Sequence, residues 1–348
     1  MCEMCAYIGR ERSAAPILLA QGKRMEGLWS GFCTGIGVQD ADGTLRMHKT
    51  LGYSRFWEEQ FSTASLPGTV GVFHSRTGYP GMSGDRRYAH PFLSADGSAM
   101  VAAQGFLGIF SDESSRALFR IGNRLLELGV CFSSADSSVK ERFQLLKDGT
   151  RVHMTNIFGE YAAYLLKLCK DPFEAVRRTG NDIREEACSF FLFREFPGHV
   201  YAINMNQRLC ARFHADGLSI STCALAFGAE HGNLMEIPPN TVADFTADSI
   251  RMERLSPQIS PYSEIPANLR GAVLEWLAGV QDGTLAEIMD NVLKLRYPAD
   301  TLRHVPTHEI FEQLYFDGVI QLMTREQPGI TGRECSLRTS FRLNRQDC

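Results

Sequence analysis

No apolar run in the 348 residues approaches the roughly 20 needed to cross a bilayer. The opening Met1-Cys2-Glu3-Met4-Cys5 also lacks the basic start and apolar stretch of an export signal. A cytoplasmic location is the expectation. An excess of either charge is missing too: 36 Lys and Arg stand against 40 Asp and Glu, for a formal net charge of -4 and a pI near 6.2. Such a chain has no global attraction for phosphate backbones or anionic lipid, so neither nucleic acid nor a membrane is expected as a partner. The sequence holds no second CxxC to complete a zinc site begun by Cys2 and Cys5, and neither metal nor cofactor is expected. Internal repeats and low-complexity segments are absent.

What is present is the composition of an ordinary globular protein, 44% apolar and 22% charged, long enough for two domains. Ten scattered cysteines read as reduced thiols, mostly small buried hydrophobes. Short strand patterns recur from Gly35 to Phe245, the first two flanking the turn dipeptide Asp42-Gly43. Helical spacing marks Ala14 to Met25, Ser114 to Leu128, Ser138 to Leu146 and Asp171 to Cys188. Helices on an antiparallel framework predict an α+β architecture for residues 1–255. A Pro- and Ser-rich linker follows at 256–265. Residues 266–348 then read as helices at Ala267 to Val280, Gly283 to Arg296 and Thr307 to Thr324, closed by the alternating run Cys335 to Leu343. That order of elements is the order of a winged-helix domain.

Cys2 is the residue with most chemistry in prospect. Removal of Met1 would leave its thiol and a free α-amino group on one residue, and an amine with a reference pKa of about 8 can take the thiol proton near neutral pH. The surroundings of Cys2 carry a family resemblance. Cys2-Glu3-Met4-Cys5-Ala6-Tyr7-Ile8-Gly9 keeps the cysteine and the Tyr-Ile-Gly spacing of the class II glutamine amidotransferases, a branch of the N-terminal-nucleophile hydrolases. The resemblance is to the glutaminase domain that this family has in glucosamine-6-phosphate synthase. Gly71-Val72-Phe73-His74-Ser75-Arg76, His90-Pro91, Val101-Ala102-Ala103-Gln104-Gly105, Ser134-Ala135-Asp136-Ser137-Ser138 and Phe158-Gly159-Glu160-Tyr161-Ala162 resemble further family segments in the same order.

The resemblance implies a four-layer αββα sandwich and a set of roles. Cys2 is the nucleophile, while Gln104 and Gly105 hold the oxyanion. Arg76 and Asp136 take the carboxylate and α-amino group of L-glutamine, a task for which a planar guanidinium fork is well suited. Asp136 is equally suited to cap a helix beginning after Ser138. The segment at 158–162 is expected to begin a strand of the second sheet, and Ile237-Pro238-Pro239-Asn240-Thr241 to lead into the last strands.

Four departures bear on the thiol. Gln104 replaces the family's Asn, Glu3 replaces the Gly after the nucleophile, Thr77-Gly78 replaces the aromatic-led segment after the arginine, and Ser30-Gly31-Phe32-Cys33-Thr34-Gly35 lacks an arginine. The residues beyond 255 are too few for a sugar-phosphate acceptor domain, so ammonia would pass to a separate acceptor protein. From Gln281 to Cys348 eight Lys and Arg face ten Asp and Glu. The third C-terminal helix carries Glu309 and Glu312 on what would be its DNA-reading turn, which favours protein interaction or self-association over DNA. Two functional expectations follow: a glutaminase acting through a Cys2 thioester, or a catalytically weak glutamine sensor that signals through the C-terminal segment.

Overall fold

The computed structural model describes residues 2–78, 84–105, 111–139, 143–184, 187–205, 207–256, 267–295, 304–329, 332 and 334–344. In chain order the elements begin β1 (Glu3–Gly9), α1 (Ala14–Met25), β2 (Cys33–Gln39), β3 (Leu45–Leu51), α2 (Ser54–Gln60), β4 (Val70–Arg76), β5 (Phe92–Leu93) and β6 (Ala99–Gly105). There follow α3 (Ser111–Glu127), β7 (Gln144–Leu145), β8 (Arg151–Val152), α4 (Met154–Cys169), α5 (Pro172–Asp182), β9 (Ala187–Phe193), β10 (Val200–Asn204), β11 (Cys210–His214), β12 (Gly217–Ser221) and β13 (Met235–Glu236). The chain continues through β14 (Thr241–Phe245), β15 (Ile250–Arg254), α6 (Leu269–Gly279), α7 (Leu285–Ile288), α8 (His304–Phe316), β16 (Ile320–Pro328) and β17 (Cys335–Leu343).

Two antiparallel sheets form the centre. One runs β13-β11-β12-β1-β4-β2-β3 and the other β15-β14-β10-β9-β6-β5. Strand alternation divides the apolar residues among layers. Met4, Ala6 and Ile8 of β1, Val70 and Val72 of β4 and Met100 and Ala102 of β6 meet between the sheets. Cys5, Tyr7 and Phe73 point the other way, into a core beneath α1. On the far face of the second sheet, α4 and α5 pack over Val101, Phe191 and Ile203. The mixed α and β fold with antiparallel sheets agrees with expectation. No helix among the described residues is long and apolar enough to cross a membrane.

Four expectations about elements are corrected. Ser138 to Leu146 is not a helix: Gln144–Leu145 pairs as a strand with Arg151–Val152, and residues 140–142 lie outside the described set. Asp136 Oδ1 accepts from the backbone N–H and hydroxyl of Ser138, closing a local turn that competes with a helical start. The segment 158–162 lies within α4 and begins no strand, because Phe158, Ala162, Leu165 and Leu166 recur at helical spacing and bury together. The helix starting at Pro172 ends at Asp182, and Cys188 belongs to β9. The last helix ends at Phe316, after which Val319 and Ile320, β-branched, enter the hairpin with β17.

Beyond residue 266 the described elements are helices and a two-stranded hairpin, and Leu269, Val273, Ile310, Phe311, Leu314 and Phe341 share the buried cluster that lies under α1. Apart from Ser256, the linker expected at 256–265 lies outside the described residues.

Candidate active site

The same alternation that builds the inter-sheet core ends in polar residues. On β4 the inward stripe Val70, Val72 continues to His74 and Arg76; on β6 the stripe Met100, Ala102 continues to Gln104. β1 reaches this end of the sandwich from the opposite direction, pairing Glu3 with Ser75 and Met4 with His74. Carried on by one residue, that register sets Cys2 beside Arg76 and on the same face as Met4. Cys2, Arg76 and Gln104 therefore gather at one end of the inter-sheet space.

Two histidines fasten this end. β5 is only two residues long, so β6 runs past it and the backbone of Ala103 has no strand partner on that side. His74 Nε2–H donates to the Ala103 carbonyl at 3.1 Å, and His90 Nδ1 accepts from the Ala103 N–H at 3.3 Å. The two rings lie with centroids 3.9 Å apart at an interplanar angle of 39°, and His153 stands edge-on to His90 at 5.0 Å. Burial pushes all three far toward the neutral form, His74 down to about 3, with nearby Arg76 adding to the effect. Close approach here needs a glycine on β2: a Cβ on Gly35 would sit 1.8 Å from the His90 carbonyl oxygen. Gly105, which ends β6, has φ +110, which only glycine adopts readily. The backbone N–H after Gln104 is thus fixed by the histidine clamp one residue upstream.

Gln104 is buried, and its Oε1 has no hydrogen-bond partner among the described residues. An oxygen left so can accept from an incoming donor, whereas an oxyanion would be met by the Nε2–H side of the same amide.

Tyr88 joins the two substrate-binding candidates. Its carbonyl accepts from Arg76 Nη1 at 3.2 Å, and its hydroxyl donates to Asp136 Oδ2 at 2.8 Å. The ring itself is buried against Phe143, which also lies under the Arg76 guanidinium at 5.9 Å. Asp136 also accepts from Arg87 Nη2 at 2.9 Å. The Ser138 hydroxyl and N–H, then Tyr88 and Arg87, hold the Asp136 carboxyl well below the usual carboxylate range, so it stays anionic. A guanidinium and a carboxylate, linked by one tyrosine, suit the two charged ends of an α-amino acid.

Glu26 is a further participant that sequence reasoning passed over. Its buried carboxylate accepts from the Thr34 hydroxyl at 2.9 Å and the Ser54 N–H at 3.0 Å, while Ser75 Oγ accepts from the Gly31 N–H. It thereby organises the loop around Gly31 and Thr34. Burial raises its pKa, opposed by these hydrogen bonds. For His74, Tyr88 and His153 the available signal was a titratable or hydroxylated residue at the end of an apolar stripe or in a short loop. Among the described cavities, one of about 680 Å³ is lined by Tyr7, Arg24 and Arg212, and none of the five predicted site residues lines it.

No family model matches the chain. Two curated proteins named glutamine--fructose-6-phosphate aminotransferase [isomerizing] do. That of Methanothermobacter thermautotrophicus is 31% identical over 107 residues, 31% of this chain and 18% of the relative. That of Pseudomonas aeruginosa is 33% identical over 101 residues, 28% of this chain and 16% of the relative. The match thus spans less than a fifth of either relative. Among solved structures, the allosteric regulatory enzyme of purine biosynthesis aligns over 81% of this chain and 59% of its own, with TM-score 0.58 and 15% identity. The glutamine phosphoribosylpyrophosphate amidotransferase of B. subtilis aligns over 95% and 68%, with TM-score 0.58 and 13% identity. These similarities extend to the fold.

Proposed function

Because this chain is related to the class II glutamine amidotransferases, we propose that it hydrolyses the side-chain amide of L-glutamine through a thioester on Cys2 and hands the ammonia to a separate protein. The observation that carries this reading is the convergence of Cys2 and Arg76 of one sheet and Gln104 of the other at one end of the inter-sheet space, with Asp136 tied in through Tyr88.

In this reading Arg76 binds the α-carboxylate and Asp136 the α-ammonium, which fixes the Cδ amide over Cys2. The α-amino group of Cys2 takes the thiol proton as Sγ attacks the amide carbon. The Gly105 N–H and the Gln104 amide stabilise the oxyanion, each such donor being worth about 3 kcal/mol. The proton then passes to the departing nitrogen, the C–N bond breaks, and ammonia leaves. Water attacks the thioester, its hydroxyl joining the acyl carbon and its other proton passing through the α-amino group to sulfur as the C–S bond breaks, which releases glutamate. The three helices and hairpin beyond residue 266, in winged-helix order, serve in this reading to dock the acceptor or a second copy of the chain.

Intact mass of the purified protein before and after 6-diazo-5-oxo-L-norleucine tests the proposal. Loss of Met1 and one covalent adduct that disappears in Cys2→Ala are expected. A retained Met1 with no adduct overturns it.

A further inference from the structure

Consecutive residues of a strand face opposite ways, so Glu3, which follows Cys2, points out of the inter-sheet space. It is completely buried all the same, on the face that carries Cys5 and Tyr7. There it meets two other segments. The β1–β12 register, Cys5 opposite Ser221, carried on by two residues sets Glu3 across from Cys223. From the C-terminal segment, α8 presents His308 and Glu312, one turn apart on a single face. One ligand-capable atom from each of Cys223, His308 and Glu312 lies within 4.8 Å of the other two, and all three residues are buried. Glu3 Oε1 stands 4.0 Å from His308 Nε2, and it has no hydrogen-bond partner among the described residues.

We propose that Cys223, His308, Glu312 and Glu3 hold a structural divalent cation of the zinc class, joining the start of β1 to α8. This departs from the sequence-based expectation of no metal, which rested on the lack of a second CxxC and not on these residues.

The donor set fits. A thiolate, an imidazole and two carboxylates are borderline ligands of the kind zinc takes, and four protein ligands with no access to solvent describe a closed structural centre. Bond lengths of about 2.0–2.3 Å imply tetrahedral ligand separations of about 3.3–3.8 Å, so the three atoms need to draw together by roughly 1 Å, and Glu3, which stands outside that group and approaches it at His308, needs to move further in. Charge fits as well: with Glu3, Glu312 and Cys223 deprotonated on binding, a divalent cation together with Arg208, which bonds Glu312 Oε2 at 3.1 Å and is shared with Glu236, offsets their negative charge. Without a cation, burial pushes Glu3 and Cys223 toward their neutral forms. On binding, the Cys223 thiol proton is released to solvent as the metal–sulfur bond forms. Glu312 keeps a second task, since Oε1 accepts from the Ala224 N–H at 2.8 Å; this orients the carboxylate, as hydrogen bonds to metal ligands commonly do. The signal in the sequence is His308-x-x-x-Glu312, but the thiol and the other carboxylate come from distant segments.

The inference does not depend on the proposed glutaminase activity, and its test reads the metal. Full-length protein is stripped with a chelator, dialysed against zinc and measured by plasma mass spectrometry. One zinc per chain is expected, with affinity weakened by more than about 100-fold in Cys223→Ser and His308→Gln, since even partners that only support ligands change affinity about 10–100-fold. Cys131→Ser, at an exposed thiol, should bind like the parent. Zinc K-edge absorption of the unaltered protein should show a first shell with a single sulfur among nitrogen and oxygen ligands, a readout that does not require the variants to fold. Absence of stoichiometric zinc, a shell with no sulfur or with several, or affinity unchanged in both variants overturns the proposal.

Discussion

His74 on one sheet donates its Nε2–H to the carbonyl of Ala103 on the other, so a side chain takes over where the strand ladder stops. This bond fixes the residue immediately before Gln104 and Gly105. His90, whose Nδ1 accepts from the Ala103 N–H, must be neutral for the pattern, and burial supplies that. His74→Ala should lower kcat for glutamate release by about 10- to 100-fold, part of the effect of losing a whole oxyanion donor. KM should stay within about twofold, because the bond acts on the oxyanion strand and not on the substrate's charged ends. Steady-state glutaminase assays decide this; a raised KM with kcat intact would assign His74 to substrate binding instead.

Tyr88 predicts the opposite split. Its hydroxyl aligns Asp136 while its carbonyl holds Arg76. Tyr88→Phe keeps the ring and the carbonyl and removes only the bond to the carboxylate. A hydrogen bond to a charged group is worth about 1.5–3 kcal/mol, but Ser138 and Arg87 still hold Asp136, so a rise in KM of about three- to tenfold is expected with kcat nearly constant. If Tyr88→Phe leaves KM for glutamine unaltered, Asp136 is not positioned through Tyr88.

Arg76 and Gln104 were legible through the short motifs of the resemblance, and the alternation of β4 and β6 explains why the two strands bring them to one end of the inter-sheet space. The Asp42-Gly43 hairpin was evident from its turn residues. Tyr88 was not legible, since it acts partly through its backbone carbonyl and lies in a short loop without periodicity. Ser138 to Leu146 misled because Phe143 and Leu146 have helical spacing, yet Asp136 offers Ser138 a competing local turn. Phe158 to Ala162 misled for the opposite reason: a short motif outweighed the surrounding helical period. Glu3 and Cys223 lie too far in sequence from His308-x-x-x-Glu312 for spacing to unite the four.

Gln104 allows catalysis to be separated from stability. Its buried Oε1 makes no hydrogen bond among the described residues, so replacing the amide by an isosteric apolar group removes a desolvated polar atom. Gln104→Leu should leave the urea midpoint unchanged or slightly higher. The same substitution should reduce kcat by about 10²–10³-fold if the amide faces the oxyanion. Parallel denaturation and turnover measurements check both, and an unchanged kcat would leave Gly105 as the sole donor from this strand.

His153 gives a pH prediction with a definite sign. It is buried, its Nδ1 accepts from the Thr155 N–H at 3.2 Å to cap α4, and desolvation together with Arg76 holds its folded pKa well below 6.5. As pH falls below the unfolded value, the unfolded chain gains a proton there that the native state does not, so the native state loses stability in that window. His153→Phe forfeits the cap, about 1 kcal/mol at every pH, but also forfeits this acid sensitivity. The stability deficit of the variant should therefore shrink by about 1.4 kcal/mol between roughly pH 7.5 and pH 5.5, one pKa unit's worth of proton linkage. Other titrating groups, such as Glu160 with its pKa raised to about 7, are common to both proteins and largely cancel in the difference. Urea unfolding of both proteins across this range measures it; a deficit that grows on acidification would mean that His153 is charged in the native state and paired with an acid.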